Sequence, residues 1–77
     1  MVYLYAQQID IADAAARMEG WRPRARREWL RPDGETVRFI SLTEQLALIQ
    51  PGETVYVVGP VPRELRRMNG IIVISIL

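Results

Sequence analysis

Residues 54–67 read Thr54-Val55-Tyr56-Val57-Val58-Gly59-Pro60-Val61-Pro62-Arg63-Glu64-Leu65-Arg66-Arg67. A run of β-branched residues meets a Gly-Pro break, and a short helical segment follows. An apolar run without strict alternation predicts a strand covered on both faces, the pattern of parallel sheets. Pro62 suits the start of the helix, and Arg66 and Arg67 suit its negative end. One strand-turn-helix unit of this kind sets the expectation of an α/β fold.

Working outward from this unit, Asn69-Gly70 stops the helix and residues 71–77 read as the last strand. Residues 2–6, rich in Tyr and Val, read as the first strand. Asp10 is a natural N-cap for a helix whose Ile11, Ala14, Ala15 and Met18 recur at helical spacing. Gly20 is placed to end that helix as its C′ residue, with Trp21 making the accompanying apolar contact. Residues 22–25 read as a basic connector interrupted by Pro23, and residues 26–31 as a short strand. Pro32-Asp33-Gly34 is turn chemistry, and residues 36–40 return as a partner strand. Thr43 is read as the cap of a short helix with Leu42, Leu46 and Ile49 on one face. Pro51-Gly52 ends it.

The predicted order is β-α-(ββ)-α-β-α-β. It describes one small α/β domain over residues 1–77, with a mainly parallel sheet, flanking short helices and one Pro-Asp-Gly hairpin. The expected core includes Leu4, Ile11, Met18, Leu46, Val55, Val57 and Ile74. Strands 2–6, 54–58 and 71–76 are expected side by side. Both faces of the last strand are apolar except at Ser75, which predicts a homodimer or larger assembly with this strand at the interface. A central position covered by helices on both sides is the competing possibility.

The chain of 77 residues contains neither Cys nor His. That removes disulfides, thiolate metal sites, the commonest zinc ligand and the commonest general base. Ser41 and Ser75 are the only serines, and neither lies in a nucleophile elbow. No phosphate-binding glycine loop is present. The carboxylates are scattered, and capping accounts for Asp10 and Asp13. The expectation is therefore a non-enzymatic protein with no catalytic residues, no metal ligands and no cofactor. No segment approaches the roughly 20 apolar residues needed to cross a bilayer, and no signal peptide is visible. A cytoplasmic protein without membrane contact is expected.

All ten basic residues are Arg, and the net charge is +1. The arginines crowd residues 17–31, where Trp21-Arg22-Pro23-Arg24-Ala25-Arg26-Arg27-Glu28-Trp29 mixes them with two tryptophans. Trp and Arg are enriched in protein-binding hot spots, so Trp21, Arg22, Arg24, Arg26, Arg27 and Trp29 are the candidate partner-binding residues. The same arginines could meet nucleic-acid phosphates, though the low net charge disfavours that partner. Against both stands a packing reading in which the indoles fill a thin core beneath arginine stems. An alternative site lies beyond the carboxyl ends of the strands, where Gln7, Gln8, Gly59 and Arg63 could bind a phosphate or nucleotide. Pro60 and Pro62 lack N–H groups there, and a rigid strand-to-helix turn is the favoured reading of the segment.

The tyrosine-bearing first strand, the Gly-terminated helix, the stretch from Arg22 to Trp29 and the Thr54–Gly59 strand resemble small uncharacterised α/β proteins encoded by bacteriophages. The Pro-Asp-Gly segment and the short third helix depart from that group. The resemblance implies a phage or prophage origin, location in a bacterial host, and a role in binding a host component. It implies no activity and names no partner.

Overall fold

The computed structural model describes residues 1–76; the expected strand end at Leu77 lies outside the described residues. Three short helices flank a mixed six-stranded sheet. The elements are β1 (Val2–Tyr5), α1 (Ile9–Met18), β2 (Arg22–Ala25), β3 (Glu28–Leu30), β4 (Thr36–Ile40), α2 (Thr43–Leu46), β5 (Thr54–Val58), α3 (Arg63–Arg66) and β6 (Ile72–Ile76). The spatial strand order is β2-β3-β4-β1-β5-β6. The pairs β4–β1, β1–β5 and β5–β6 are parallel, whereas β2–β3 and β3–β4 are antiparallel.

Strand alternation divides the core into two layers. Val2 and Leu4 of β1, with Val37 and Phe39 of β4, face α1. Ile40, Val55 and Val57 face α2 and α3, meeting Leu46, Ile49 and Leu65. The layers are small, as expected for a chain that buries only about 60% of its unfolded surface.

The α1 helix enters and leaves differently at its two ends. Its N-cap is Gln8 rather than Asp10, and it begins at Ile9. The end at Gly20 matches the sequence reading. Gly20 has φ +82°, its N–H bonds Arg17 O at 3.0 Å, and the Trp21 N–H bonds Ala16 O at 2.9 Å. Those two bonds make a Schellman cap and leave the chain aimed back at the sheet.

The buried face of α1 is Ala12, Ala15 and Ala16, while Ile11, Ala14 and Met18 are exposed. The expected face was therefore rotated. The reason is volume: the indoles of Trp21 and Trp29 occupy the same layer, so small residues let the helix approach the sheet. Ile74 also departs from the expected core and is partly exposed.

The segment 22–25 is a strand, not a connector. A tight turn at Arg26-Arg27 joins it to β3, and β2 pairs with β3 through an irregular register between Pro23 and Ala25. Residues 31–35 link β3 and β4. The Gly34 N–H bonds Arg31 O at 2.9 Å, and the Asp33 carboxylate accepts from the Glu35 N–H at 3.0 Å. At α2, Thr43 is the first helical residue and Leu42 the cap. Gln45 Oε1 accepts from the Ser41 and Leu42 N–H groups at 3.0 and 3.1 Å. Leu46 and Ile49 are buried, whereas Leu42 is exposed.

Candidate functional site

The Trp/Arg segment splits into an inside and an outside. Trp21 and Trp29 are only 6% and 2% exposed. Trp21 meets Tyr56 edge-on at 4.8 Å between ring centroids, and Trp29 meets Phe39 edge-on at 6.4 Å. The Trp29 indole N–H donates to Asp13 Oδ1 at 3.1 Å. Neither ring is presented to a partner, because both pack with Phe39 and Tyr56 in the layer under α1. The indole part of the expected contact surface is corrected accordingly: Trp21 and Trp29 are packing residues.

Arg22, Arg24, Arg26 and Arg27 are exposed. Arg24 Nη1 lies 2.8 Å from Glu28 Oε1, and Arg38 Nη2 lies 3.6 Å from Glu28 Oε2. Opposite strand positions bring Glu28 and Arg38 together. Arg26, Arg27 and Arg38 border an open cleft of about 330 Å³, shared with Tyr3, Gln45 and Leu48. Burial raises the pKa of Tyr3, the Glu53 carboxylate adds to the shift, and Arg38 opposes it. Arg38, Tyr3 and Leu48 were invisible to a local sequence reading, since only strand register places them beside the arginine turn.

The strand-end cleft also divides the expected residues. About 420 Å³ of open space lies among the loops after β1, β4 and β5. Here β1 leads to α1 on one face while β4 and β5 lead to α2 and α3 on the other. Divergence of this kind opens a crevice at the carboxyl ends of adjacent strands. Gln7 and Gly59 line it, together with Tyr5, Ile11, Thr43 and Glu64; Gln8 and Arg63 do not. Among the described residues, the one carboxyl or guanidinium group on the wall is that of Glu64. That charge repels a phosphate, so the anion reading loses its cationic element at this site.

The third feature is the pair of sheet edges. At one edge, β2 carries Arg22, Pro23 and Arg24 and an irregular register. Charge, proline and bulges are the devices by which edge strands resist unwanted pairing. At the other edge, β6 reads Ile72-Val73-Ile74-Ser75-Ile76 and carries none of them. Ile72, Val73 and Ile74 are 51%, 37% and 37% exposed. The central-strand possibility for residues 71–76 is excluded, since β6 pairs with β5 alone and in regular parallel register.

Among the described residues, no cluster of three or more acidic side chains converges as a metal site, and no helix is long and apolar enough to cross a membrane. Compared with family models, curated proteins and solved structures, the chain matches none.

Proposed function

We propose that this protein is a non-enzymatic interaction domain that accepts a strand from a protein partner along the outer edge of β6. The single observation behind this reading is the asymmetry of the two edges. One edge is guarded by arginine, proline and a register shift, and the other is regular, uncharged and apolar. An unguarded apolar edge is a liability in isolation and a binding site when a partner supplies a strand. Main-chain hydrogen bonds would give affinity, and alternate side chains would give selectivity.

The test is site-specific photocrosslinking in the source cell. A photoreactive residue at position 75, on β6, is expected to capture protein, whereas the same residue at position 24, on β2, captures far less. Capture from position 24 alone would overturn the strand-addition reading.

A second reading rests on the strand-end cleft. Its Gln7 amide, Thr43 hydroxyl and apolar wall suit a small neutral ligand better than a phosphate. A ligand that raises the melting temperature of wild type but not of Gln7→Ala would support it.

A further inference from the structure

We propose that the strand accepted by β6 is β6 of a second copy, paired antiparallel across a two-fold axis at Ile74. The inference rests on the strand-addition reading above and names its partner.

The backbone sets the register. The Ile72 N–H donates inward, to Glu53 O at 3.0 Å. Successive residues of a strand alternate in direction, so the N–H and C=O groups of Val73 and Ser75 point away from β5. An antiparallel partner pairs such residues two by two, each pair exchanging two hydrogen bonds. With the axis at Ile74, Val73 exchanges bonds with the partner's Ser75, and Ser75 with the partner's Val73. Ile74 then faces its own counterpart in the intervening non-bonded position, and Ile72 faces the partner's Ile76. A slip of one residue would oppose outward-facing groups to inward-facing ones. A slip of two leaves part of β6 unpaired.

Side chains agree with that register. Residues paired across β5 and β6 share a sheet face, so Ile72, Ile74 and Ile76 lie with Tyr56 on the α1 side. The two-fold axis joins three isoleucines from each copy into one continuous apolar row. No ionisable side chain lies on β6, so the pairing buries no charge and sets no like charges together.

Charge and symmetry exclude the rival within the same chain. Pairing β6 with β2 of another copy would run head to tail and make an open filament. That contact would desolvate Arg22 and Arg24 and face Pro23, which has no N–H to offer. The isologous β6 pair closes on itself and meets neither obstacle. A strand edge of this length falls at the low end of interface sizes, below about 1,200 Å² in total, so association is expected to depend on concentration.

The experiment combines mass with crosslinking. Sedimentation of the wild-type chain should show 8.9 kDa at high dilution and an approach to twice that mass as concentration rises. The chain has no native Cys, so Ile74→Cys gives a clean disulfide readout. Non-bonded antiparallel positions stand about 4.5 Å apart at Cα, within the roughly 4.4–6.8 Å that a disulfide requires. Ile72→Cys is the control, because its counterpart lies roughly 14 Å away, four residues along the partner strand. Rising mass with oxidative dimers from position 74 and not from position 72 supports the proposal. Wild-type chain that stays monomeric at every concentration overturns it, and so does equal crosslinking from both positions. The mass reading needs no variant, so a folding defect in either cannot obscure the result. If the wild type is monomeric but position 75 still captures another protein in cells, self-pairing fails while strand addition stands.

Discussion

Trp29 Nε1 lies 3.1 Å from Asp13 Oδ1, tying β3 to α1 across sixteen residues of sequence. The other Asp13 oxygen faces Arg17 Nε at 3.0 Å. The indole N–H is thereby satisfied where its ring is buried. Asp13→Ala should cost about 1–3 kcal/mol, because it strands that donor. Asp13→Asn keeps an acceptor and should cost less. Urea unfolding followed by tryptophan fluorescence measures both, and equal stability for Asp13→Ala and wild type would contradict the account.

The core and the edge should respond differently to truncation. Leu46 and Leu65 are fully buried between the helices and the sheet. Replacing either with Ala should cost about 2–5 kcal/mol. For the monomer at high dilution, Ile74→Ala should cost about 1 kcal/mol or less, in proportion to the area it still covers. A large loss at Ile74 under those conditions would mean that the strand is more deeply packed than its exposure indicates.

Arg27 is the only non-glycine with positive φ among the described residues, at 65°. Its carbonyl accepts from the Phe39 N–H at 2.9 Å, which fixes the turn against β4. Glycine adopts this region without steric cost. Arg27→Gly should therefore raise stability by about 0.5–1 kcal/mol, after allowing for greater freedom in the unfolded chain. Thermal unfolding checks it, and a lower melting temperature would count against a strained turn.

Glu53 gives the acid side of the stability profile. Its Oε1 accepts from the Gln50 N–H at 2.8 Å, and its Oε2 lies 3.1 Å from the Met1 ammonium. The backbone bond first, and the ammonium second, hold its pKa below the ordinary carboxylate value. The folded state therefore binds this proton less readily than the unfolded chain does. The resulting stability is present above the unfolded pKa and is lost as pH falls through the lowered folded value. Glu53→Gln should flatten that part of the acid limb. An acid limb unchanged by the substitution would show that Glu53 does not contribute.

The α/β class was legible because strand and helix signals alternate along the chain, and the cap at Gly20 was legible because it is local. The phase of α1 was not. Ile11 and Met18 fit a helical stripe as well as Ala12, Ala15 and Ala16 do, and only the volume of two indoles from elsewhere decides between them. The strand at residues 22–25 was hidden by Pro23, a poor strand former, set among arginines that read as a basic connector; both suit a guarded edge. The same logic hid the arginine cleft, which exists only once register sets Arg38 beside Glu28. Apolarity on both sides of β6 was visible in the sequence. Its place at the sheet edge depends on strand order, which no local pattern encodes.

Residue-resolved amide exchange along both edges reads out strand pairing at β6 residue by residue. The Val73 and Ser75 amides should exchange rapidly in dilute protein and slow markedly as concentration rises, while exchange at Arg22 and Arg24, on the opposite edge strand, should not change with concentration. Exchange at Val73 and Ser75 that is fast and indifferent to concentration, with protection rising instead at Arg22 and Arg24, would contradict pairing at β6.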